Sequence, residues 1–435
     1  MASLLLLVAG SWLGDVEIFT VAEGSPRFGK NPLIAGNIVI WKRYSPGGRL
    51  PDMVQGRDIS HYGNPVLDIL PYPASRTGLL LTSEFLFWPS SGSSKGPIWA
   101  RRTEHLLRGS GNDIVVCASG GVPITATSHH VFIKRPGAFG EPGNIFAKAI
   151  RDLDSPCETS LQLVVTYKEL PLIARTEGAS DKYFVWQDRD PAQADDTWKI
   201  YAKRTSELFV AGAERVLVDT QVPRDAPTQR GIQLAIDDNI LVFQAISGNG
   251  RCKGCLGIFL LNIDSNQQFK LAESYGAEDY TDYLHWPDVS KHYAIWTREV
   301  GLFVYVPYAI ALFEGRPFGE AFAISDADHG GQFARISGNL VVWNGDTSFN
   351  GAEFFHNAIL GAELPVQGAD DVGDVDGDGR IDITDAVNIL GYLFLNGWQP
   401  RLRLADANLN QRIDLDDAVR ILNYLFQGDP RPGGA

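Results

Sequence analysis

Ile34-Ala35-Gly36-Asn37-Ile38-Val39-Ile40-Trp41 is a phrase this chain repeats. It returns as Ile236-Asp237-Asp238-Asn239-Ile240-Leu241-Val242-Phe243 and as Ile336-Ser337-Gly338-Asn339-Leu340-Val341-Val342-Trp343, with worn copies ending at Trp88, Trp186 and Trp296. A further copy is expected to begin at Gly111-Asn112. The phrase has a physical reading. Gly-Asn or Asp-Asn makes a tight hairpin turn in which Asn tolerates positive φ. The apolar run then forms a strand buried on both faces, and the closing aromatic fills space between neighbouring sheets. Trp41 and Trp343 fit six intervals of about 50 residues, a period that signals a propeller or a solenoid.

A second strand follows several copies: Trp198-Lys199-Ile200-Tyr201, Gly257–Asn262, Leu302–Tyr305 and Glu353-Phe354-Phe355. Repeated strand–hairpin–strand units stack radially as blades. The reading is therefore mainly β, a six- or seven-bladed β-propeller over residues 15–362, with an all-β sandwich as the alternative. Asp15–Val21 reads as outer strand without an inner partner, and would complete the last blade and lock the ring. Tyr183-Phe184-Val185-Trp186-Gln187-Asp188-Arg189 followed by Trp198–Tyr201 resembles the repeat of TolB-like β-propellers.

The C-terminal part reads differently. Asp374-Val375-Asp376-Gly377-Asp378-Gly379-Arg380-Ile381-Asp382-Ile383-Thr384-Asp385 is answered 32 residues on by Asp406-Ala407-Asn408-Leu409-Asn410-Gln411-Arg412-Ile413-Asp414-Leu415-Asp416-Asp417. Oxygen-bearing side chains fall at loop positions 1, 3, 5, 9 and 12 of both, the spacing that wraps a hard cation such as Ca²⁺. Each loop runs into an apolar stripe at helical spacing: Ala386, Ile389, Leu390, Leu393, Phe394, and then Ala418, Ile421, Leu422, Leu425, Phe426. Asp382 and Asp414 stand at N-cap positions, with Asp385 and Asp417 three residues on. Gly397 and Gly428 follow the stripes and can end the helices in left-handed conformation.

Duplicated loop–helix units with Asp at position 12 resemble the type I dockerin module, a small all-α domain, here over 374–432 after a linker at 363–373. The resemblance implies calcium at two sites. Asp374, Asp376, Asp378, Asp382 and Asp385 would ligate the first, and Asp406, Asn408, Asn410, Asp414 and Asp417 the second. The backbone carbonyls of Arg380 and Arg412 would complete each shell. The second loop departs from the pattern at Gln411, where the turn prefers Gly, and carries two neutral amides for carboxylates. Site two is expected to bind more weakly. Loop positions 10 and 11, small hydroxyl residues in cohesin-binding dockerins, are Ile383-Thr384 and Leu415-Asp416 here. A cohesin-like or other surface protein is the expected partner of the module.

Acidic residues outnumber basic ones, 52 to 38, for a net charge of −14. That argues against nucleic-acid binding, which needs a basic face. No stretch approaches the ~20 apolar residues of a membrane span. The first residues, 1–14, have an apolar run and a small-residue exit but no basic n-region, and read as a truncated signal segment. Cys252-Lys253-Gly254-Cys255 reads as a turn-spanning disulfide, with free thiols and a metal pair as alternatives. Cys117 and Cys157 are not spaced as a second zinc pair.

Catalytic residues are unknown at this stage. The sequence contains no nucleophile elbow, zinc-protease helix motif or phosphate loop. His129-His130 is the one adjacent histidine pair and reads as loop or strand. Asp326-Ala327-Asp328-His329 is the best polar cluster outside the calcium loops, and Asp279–Trp286 mixes acids with aromatics that could stack on a sugar. The expectation is an exported, extracellular or cell-surface protein. Its propeller would bind a polysaccharide or protein without catalysis, and its dockerin-like module would attach it to an assembly. The alternative is a polysaccharide-degrading enzyme, a uronate lyase or glycoside hydrolase, with its site on the propeller face.

Overall fold

A computed structural model describes residues 16, 18–23, 32–44, 51–60, 64–71, 78–90, 96–108, 111–135, 143–167, 177–189, 197–223, 233–247, 256–274, 284–301, 304–313, 315–326, 329–349, 354–364, 372–376, 380–395, 397, 400, 402–408, 410 and 412–432. Two compact units emerge: Met1–Ile59 with Pro65–Leu364, and Ser60–Asn64 with Pro365–Ala435.

The first unit is a seven-bladed β-propeller, each blade an antiparallel four-stranded sheet. The N-terminal strand β1 (Ile18–Glu23) comes first in the chain but belongs to the last blade. Blade one holds β2 (Leu33–Ala35), β3 (Ile38–Tyr44), β4 (Pro51–Asp58) and β5 (Leu67–Pro71). Blade two holds β6 (Leu80–Leu81), β7 (Phe85–Pro89), β8 (Ile98–Arg102) and β9 (Ile114–Cys117), with the short helix α1 (Thr103–Leu106) between its last two strands. Blade three holds β10 (Val122–Ala126), β11 (His130–Arg135), β12 (Asn144–Ala149) and β13 (Gln162–Thr166), and carries α2 (Cys157–Ser160). Blade four holds β14 (Glu177–Ala179), β15 (Tyr183–Asp188), β16 (Thr197–Arg204) and β17 (Arg215–Pro223). Blade five holds β18 (Leu234–Asp237), β19 (Ile240–Ile246), β20 (Leu256–Asn262) and β21 (Gln267–Glu273). Blade six holds β22 (Leu284–Val289), β23 (Tyr293–Gly301), β24 (Val304–Phe313) and β25 (Arg316–Ala323). Blade seven holds β26 (Gly331–Ser337), β27 (Leu340–Phe349) and β28 (Phe354–Glu363).

The first strand of each blade packs on that of the next, from β2 around to β26 and back to β2. β1 pairs antiparallel with β28 and supplies the fourth strand of blade seven, so sequence-distant ends lock the ring. The repeated phrase is the hairpin between the first two strands of a blade. Its aromatics are core: Trp41 and Trp343 are fully buried, as are Trp296 and Phe243. Positive φ falls on the first turn residue, Gly36, Asp238 and Gly338, as in a type II′ hairpin, and not on the Asn after it. The Asn carbonyl instead accepts the amide that follows the third strand: Ile59 N to Asn37 O at 2.8 Å, Ile263 N to Asn239 O at 2.9 Å, Leu364 N to Asn339 O at 2.8 Å. Gly111-Asn112 begins no repeat. It precedes β9, an outer strand, and the third blade's hairpin turns at Ser128-His129 with Ile133 in the aromatic's place.

Four consecutive junctions share a clasp. A basic side chain on the third strand of one blade reaches the backbone carbonyl of the preceding blade's outer strand. Arg57 Nη1 donates to Val21 O at 2.8 Å, Arg101 Nη1 to Ile69 O at 3.2 Å, Lys148 Nζ to Val116 O at 2.6 Å and Lys203 Nζ to Val164 O at 3.0 Å. Each donor satisfies an acceptor that closing the ring would otherwise strand. Cys117 on β9 and Cys157 on α2 form a disulfide across the third of these junctions, the one that Lys148 clasps. Cys252 and Cys255 lie outside the described residues.

The C-terminal unit contains α3 (Ile383–Leu395), the short α4 (Leu402–Ala405) and α5 (Leu415–Gln427). Ala386 and Ile389 of α3 meet Ala418 and Ile421 of α5 over Val375, Ala405 and Ala407, with Leu390, Leu393, Leu422 and Leu425 at the margin. The stripes therefore pack the two helices together, except at their ends. Phe394 and Phe426 are 67% and 70% exposed. α5 starts with a capping box between Asp414 and Asp417 and ends at Gly428 with φ 75°. Gly397 N closes α3 on Gly391 O at 2.9 Å. Among the described residues no helix is long and apolar enough to cross a membrane.

Candidate functional site

The two acidic loops fold alike at the level of single atoms. Asp382 N donates to Asp385 Oδ2 at 2.8 Å, as Asp414 N does to Asp417 Oδ2 at 2.9 Å. Thr384 N donates to Asp382 Oδ1 at 2.7 Å, as Asp416 N does to Asp414 Oδ1 at 2.9 Å. Asp385 Oδ1 accepts Asp376 N, as Asp417 Oδ1 accepts Asn408 N, both at 3.2 Å, and Asp385 Oδ1 also accepts Val375 N at 2.6 Å. The position-12 carboxylate thus ties the loop's start to the helix's first turn.

In the first loop this brings one oxygen each of Asp374, Asp376 and Asp385 within 4.8 Å of one another. Asp374 and Asp385 are buried and Asp376 is exposed. Burial pushes the Asp385 carboxyl above its usual range, and the Asp376 charge adds to this against three backbone hydrogen bonds. An all-oxygen set of this kind fits Ca²⁺. Asp382 caps the helix, the Arg380 backbone belongs to the same loop, and Asp378 lies outside the described residues.

In the second loop Asp406 and Asp417 are buried, but the amides close on their neighbours. Asn410 N donates to Asp406 Oδ1 at 2.8 Å, Asn410 Nδ2 to Asp414 Oδ2 at 3.2 Å, and Arg412 N to Asn410 Oδ1 at 2.9 Å. Asn408 Oδ1 also accepts Asn410 N, at 3.0 Å.

Two recesses open on the propeller face that carries the inner hairpin turns. One, about 350 Å³, is lined by Thr82, Ser83 and Glu84 of blade two, Thr127 and Ser128 of blade three, Ser180 and Asp181 of blade four, and Asp237 and Asp238 of blade five. Asp181 Oδ1 accepts Ser128 N and Oγ at 2.7 and 2.9 Å, and Asp238 Oδ2 accepts Lys182 Nζ at 2.8 Å. Burial and then the Asp238 charge hold the Asp237 carboxyl above its usual range. A second recess of about 660 Å³ shares Glu84, Phe85, Ser128 and Ile150 with the first, and extends to Arg102, His129, His130, Arg151 and Asp154. Burial, then the charges of His129 and Arg151, lower the His130 pKa. The histidine pair read from sequence as plain loop or strand therefore sits in a groove wall.

Other sequence candidates separate. Asp326 and His329 do meet, with Asp326 Oδ1 at 2.8 Å from His329 Nδ1, but both are mostly exposed, and Asp328 lies outside the described residues. Residues 279–283 also lie outside. His285 and Trp286 do not form an open sugar platform. Trp286 is held at φ 47° against Phe333 at φ 60°, with ring centroids 4.2 Å apart. Non-Gly residues at positive φ persist only where surroundings impose them. Here Gln233 Oε1 accepts Trp286 N at 2.5 Å and Gln244 Nε2 donates to Leu284 O.

Burial lowers the His285 pKa to about 4, with Glu299 Oε2 at 4.0 Å too far to reverse it. A depressed imidazole contributes stability above its unfolded pKa, and loses it as pH falls from ~6.5 toward the folded value. Because the ring keeps 30% exposure, the loss between pH 6.5 and 4 is expected to be about 1–2 kcal/mol. Urea melts of wild type and His285→Gln across that range test it. The difference between the two should shrink on acidification, and parallel curves would refute the assignment.

No family model matches this chain, and no curated protein matches it. Solved structures do. The β-propeller domain of the Trilobed protease from Pyrococcus furiosus, described as having an open velcro topology, shares 11% identity at TM-score 0.49, over 74% of this chain and 93% of that one. Puromycin hydrolase shares 11% at TM-score 0.46, over 74% of this chain and 52% of that one. Pyrococcus horikoshii acylaminoacyl peptidase shares 10% at TM-score 0.48, over 78% and 52%. The likeness is one of fold. The chain spans about half the length of puromycin hydrolase and of the acylaminoacyl peptidase.

These findings correct the functional expectation drawn from sequence. The solved structures named above are peptidases or the propeller domain of one, whereas the sequence reading expected a non-catalytic glycan or protein binder or a polysaccharide-degrading enzyme. An enzymatic role is compatible with the fold. Phe85 lines both recesses, and the Arg102 guanidinium lies 5.1 Å from its ring centroid.

Proposed function

We propose that this chain is a peptide-handling protein of peptidase type whose C-terminal unit is a calcium-dependent, dockerin-like docking module. The observation that carries the calcium part is the convergence of Asp374, Asp376 and Asp385 in a loop whose position-9 and position-12 hydrogen bonds recur in the second loop. Calcium would be held by those three with Asp378, Asp382 and the Arg380 carbonyl in the first site, and by Asp406, Asn408, Asn410, Asp414, Asp417 and the Arg412 carbonyl in the second. What the ion supplies is structural: it neutralises crowded carboxylates and fixes the loop against its helix.

The docking part is supported by duplicated exposure. Ile383 and Leu415, Val387 and Val419, and Phe394 and Phe426 stand 32 residues apart and are all exposed apolar side chains. A cohesin-like protein with an apolar face is the partner proposed. An oxidising, extracellular setting is proposed as well, and the Cys117–Cys157 disulfide supports it. For the propeller, the polar, hydroxyl- and carboxylate-lined hairpin face suits a peptide backbone and its charged ends better than a sugar ring.

Two measurements test the reading on the full chain. Calorimetric titration should show two calcium ions per chain, the tighter one lost in Asp385→Ala. Incubation with unstructured peptides and aminoacyl or acylaminoacyl anilides should release product or retain the peptide. Absence of both hydrolysis and binding would remove the peptide reading, and absence of calcium uptake would remove the module reading.

A further inference from the structure

Arg135, the last residue of β11, lies against the Cys117–Cys157 disulfide. Its Nη2 donates to Cys117 Sγ at 2.9 Å and to Ser119 Oγ at 2.6 Å, and stands 3.7 Å from Cys157 Sγ. Its Nε donates to Gly120 O at 3.2 Å. Gly120 and Gly121, at φ 88° and 132°, turn the chain between β9 and β10 and bring that carbonyl to the guanidinium. A disulfide sulfur is a weak acceptor, whereas a thiolate is a full charge that a guanidinium stabilises. The arginine therefore complements the reduced bond better than the closed one, and Cys117 more closely than Cys157.

The same bond ties two walls of the larger recess. Ile114 lies on the strand of Cys117, Leu153 and Asp154 lie on the loop that leads to Cys157, and all three line that recess. Lys148 Nζ spans the same two segments through Val116 O, Leu153 O and Ser155 O. Both sulfurs are buried, but beside exposed chain: Ala118 and Ser119 on one side, Pro156 and Thr159 on the other. α2 is a single turn of four residues, and so short a helix opens locally at little cost.

We propose that Cys117–Cys157 is a redox switch that a dithiol opens, with Arg135 holding the Cys117 thiolate and Lys148 keeping the blade junction together while the recess wall loosens. One thiolate of the dithiol attacks Cys157 Sγ. The S–S bond breaks, and its electron pair leaves on Cys117 Sγ beside Arg135. The dithiol's second thiolate then resolves the mixed disulfide and releases Cys157. The dithiol gives up two electrons and two protons and becomes a disulfide. Cys157 takes one proton as a thiol, and the other goes to solvent while Cys117 stays ionised. A lowered pKa at the leaving sulfur speeds this exchange. In the oxidising setting proposed above, the bond rests closed until it meets the reductant. The switch does not depend on what the recess binds.

Dithiothreitol is the probe, applied at neutral pH to the full, calcium-loaded chain. Alkylation read peptide by peptide in a mass spectrometer separates Cys117 and Cys157 from Cys252 and Cys255. The bond is expected to open while tryptophan fluorescence stays that of the folded chain. Arg135→Gln should slow the opening about tenfold, and Arg135→Lys, which keeps the charge, should stay within about threefold of wild type. In the reduced wild type, alkylation of Cys117 should titrate well below the ~8.5 of a free cysteine, and in Arg135→Gln at or above it. Hydrogen exchange at the amides of residues 150–155 should quicken about tenfold on reduction, which reads the recess wall directly. Reduction only in step with loss of the folded fluorescence would overturn the switch and leave a structural staple. Equal opening rates in wild type and Arg135→Gln would overturn it as well. Should Arg135→Gln not fold, the wild-type profile decides: a Cys117 that titrates at or above ~8.5 sinks the proposal. Unchanged exchange at residues 150–155 would show that the bond does not control the recess, and would overturn it too.

Discussion

Lys148→Met is expected to destabilise the propeller by about 3–5 kcal/mol. The side chain is fully buried, and its ammonium donates to Val116 O at 2.6 Å, Leu153 O at 2.9 Å and Ser155 O at 2.6 Å. An ammonium has three N–H groups, so these three contacts use all of them. Methionine keeps much of the stem's volume but donates nothing, leaving three buried carbonyls without this donor. Each uncompensated acceptor costs about 1–3 kcal/mol, offset in part by no longer burying a charge. Val116 lies on the outer strand of blade two, and Leu153 and Ser155 on the loop of blade three, so the loss falls on a blade junction. The Cys117–Cys157 disulfide crosses the same junction and holds that loop when the lysine is gone. The effect should therefore be larger after reduction, a coupling of the kind expected where two changes share one contact. Lys203→Met is a milder case, with Val164 O at 3.0 Å and Leu208 O at 3.5 Å, and about 1–3 kcal/mol is expected. Urea melts followed by tryptophan fluorescence, oxidised and reduced, measure all of this. A Lys148→Met loss under 1 kcal/mol would mean that water replaces the ammonium at no cost.

How much of this was legible depended on whether a feature is local in sequence. The hairpin phrase was, because a turn, a doubly buried strand and a core aromatic lie within eight residues, and so three blades could be read outright. β1 could be placed because it lacks an inner partner. Blade three could not, since Ile133 replaces the aromatic and Ser128-His129 replaces Gly-Asn. The role of Asn was also misjudged: its use here is a carbonyl offered to the third strand, a contact that composition does not reveal.

The clasps of Arg57, Arg101, Lys148 and Lys203 were invisible for a related reason. Their acceptors are backbone carbonyls in another blade, and a carbonyl has no letter. Cys117 and Cys157 looked unrelated because the ring brings an outer strand beside the next blade's loop. The duplicated acidic loops were legible as a repeat, since the oxygen-bearing side chains of each lie within twelve residues. The groove was not: its walls come from four blades, and only their fixed place after each inner strand, at Ser83-Glu84, Ser128-His129, Asp181 and Asp238, would have marked them as neighbours.

Chelating calcium from the intact chain is expected to unfold the C-terminal unit and leave the propeller folded. The unit's core is small: Val375, Ala386, Ile389, Ala405, Ala407, Ala418 and Ile421 form its buried apolar cluster, and among the described residues Val372 and Leu404 are also buried. A core of that size yields little net stability by itself. Against it stands the mutual repulsion of Asp374, Asp376 and Asp385. Like charges at 4.8 Å repel by about 3 kcal/mol per pair at an effective dielectric constant near 20, less where Asp376 meets water. A bound divalent ion reverses the sign of that interaction. At free calcium of 100 to 1,000 times Kd, each site adds about 2.7–4.1 kcal/mol of folding free energy. Loop two should contribute less, because Asn410 and Arg412 amides already occupy its oxygens and two of its ligands are neutral. Asp385→Ala should therefore lower the unit's transition more than Asp417→Ala does. Calorimetry should resolve two transitions in calcium and shift only the lower on adding chelator, with loss of helical dichroism and unchanged fluorescence from Trp41, Trp296 and Trp343. Full helical signal after chelation would mean that hydrogen bonds from Val375 N and Asp382 N to Asp385 hold the loop without an ion, and that the carboxylate cluster is a helix cap and nothing more.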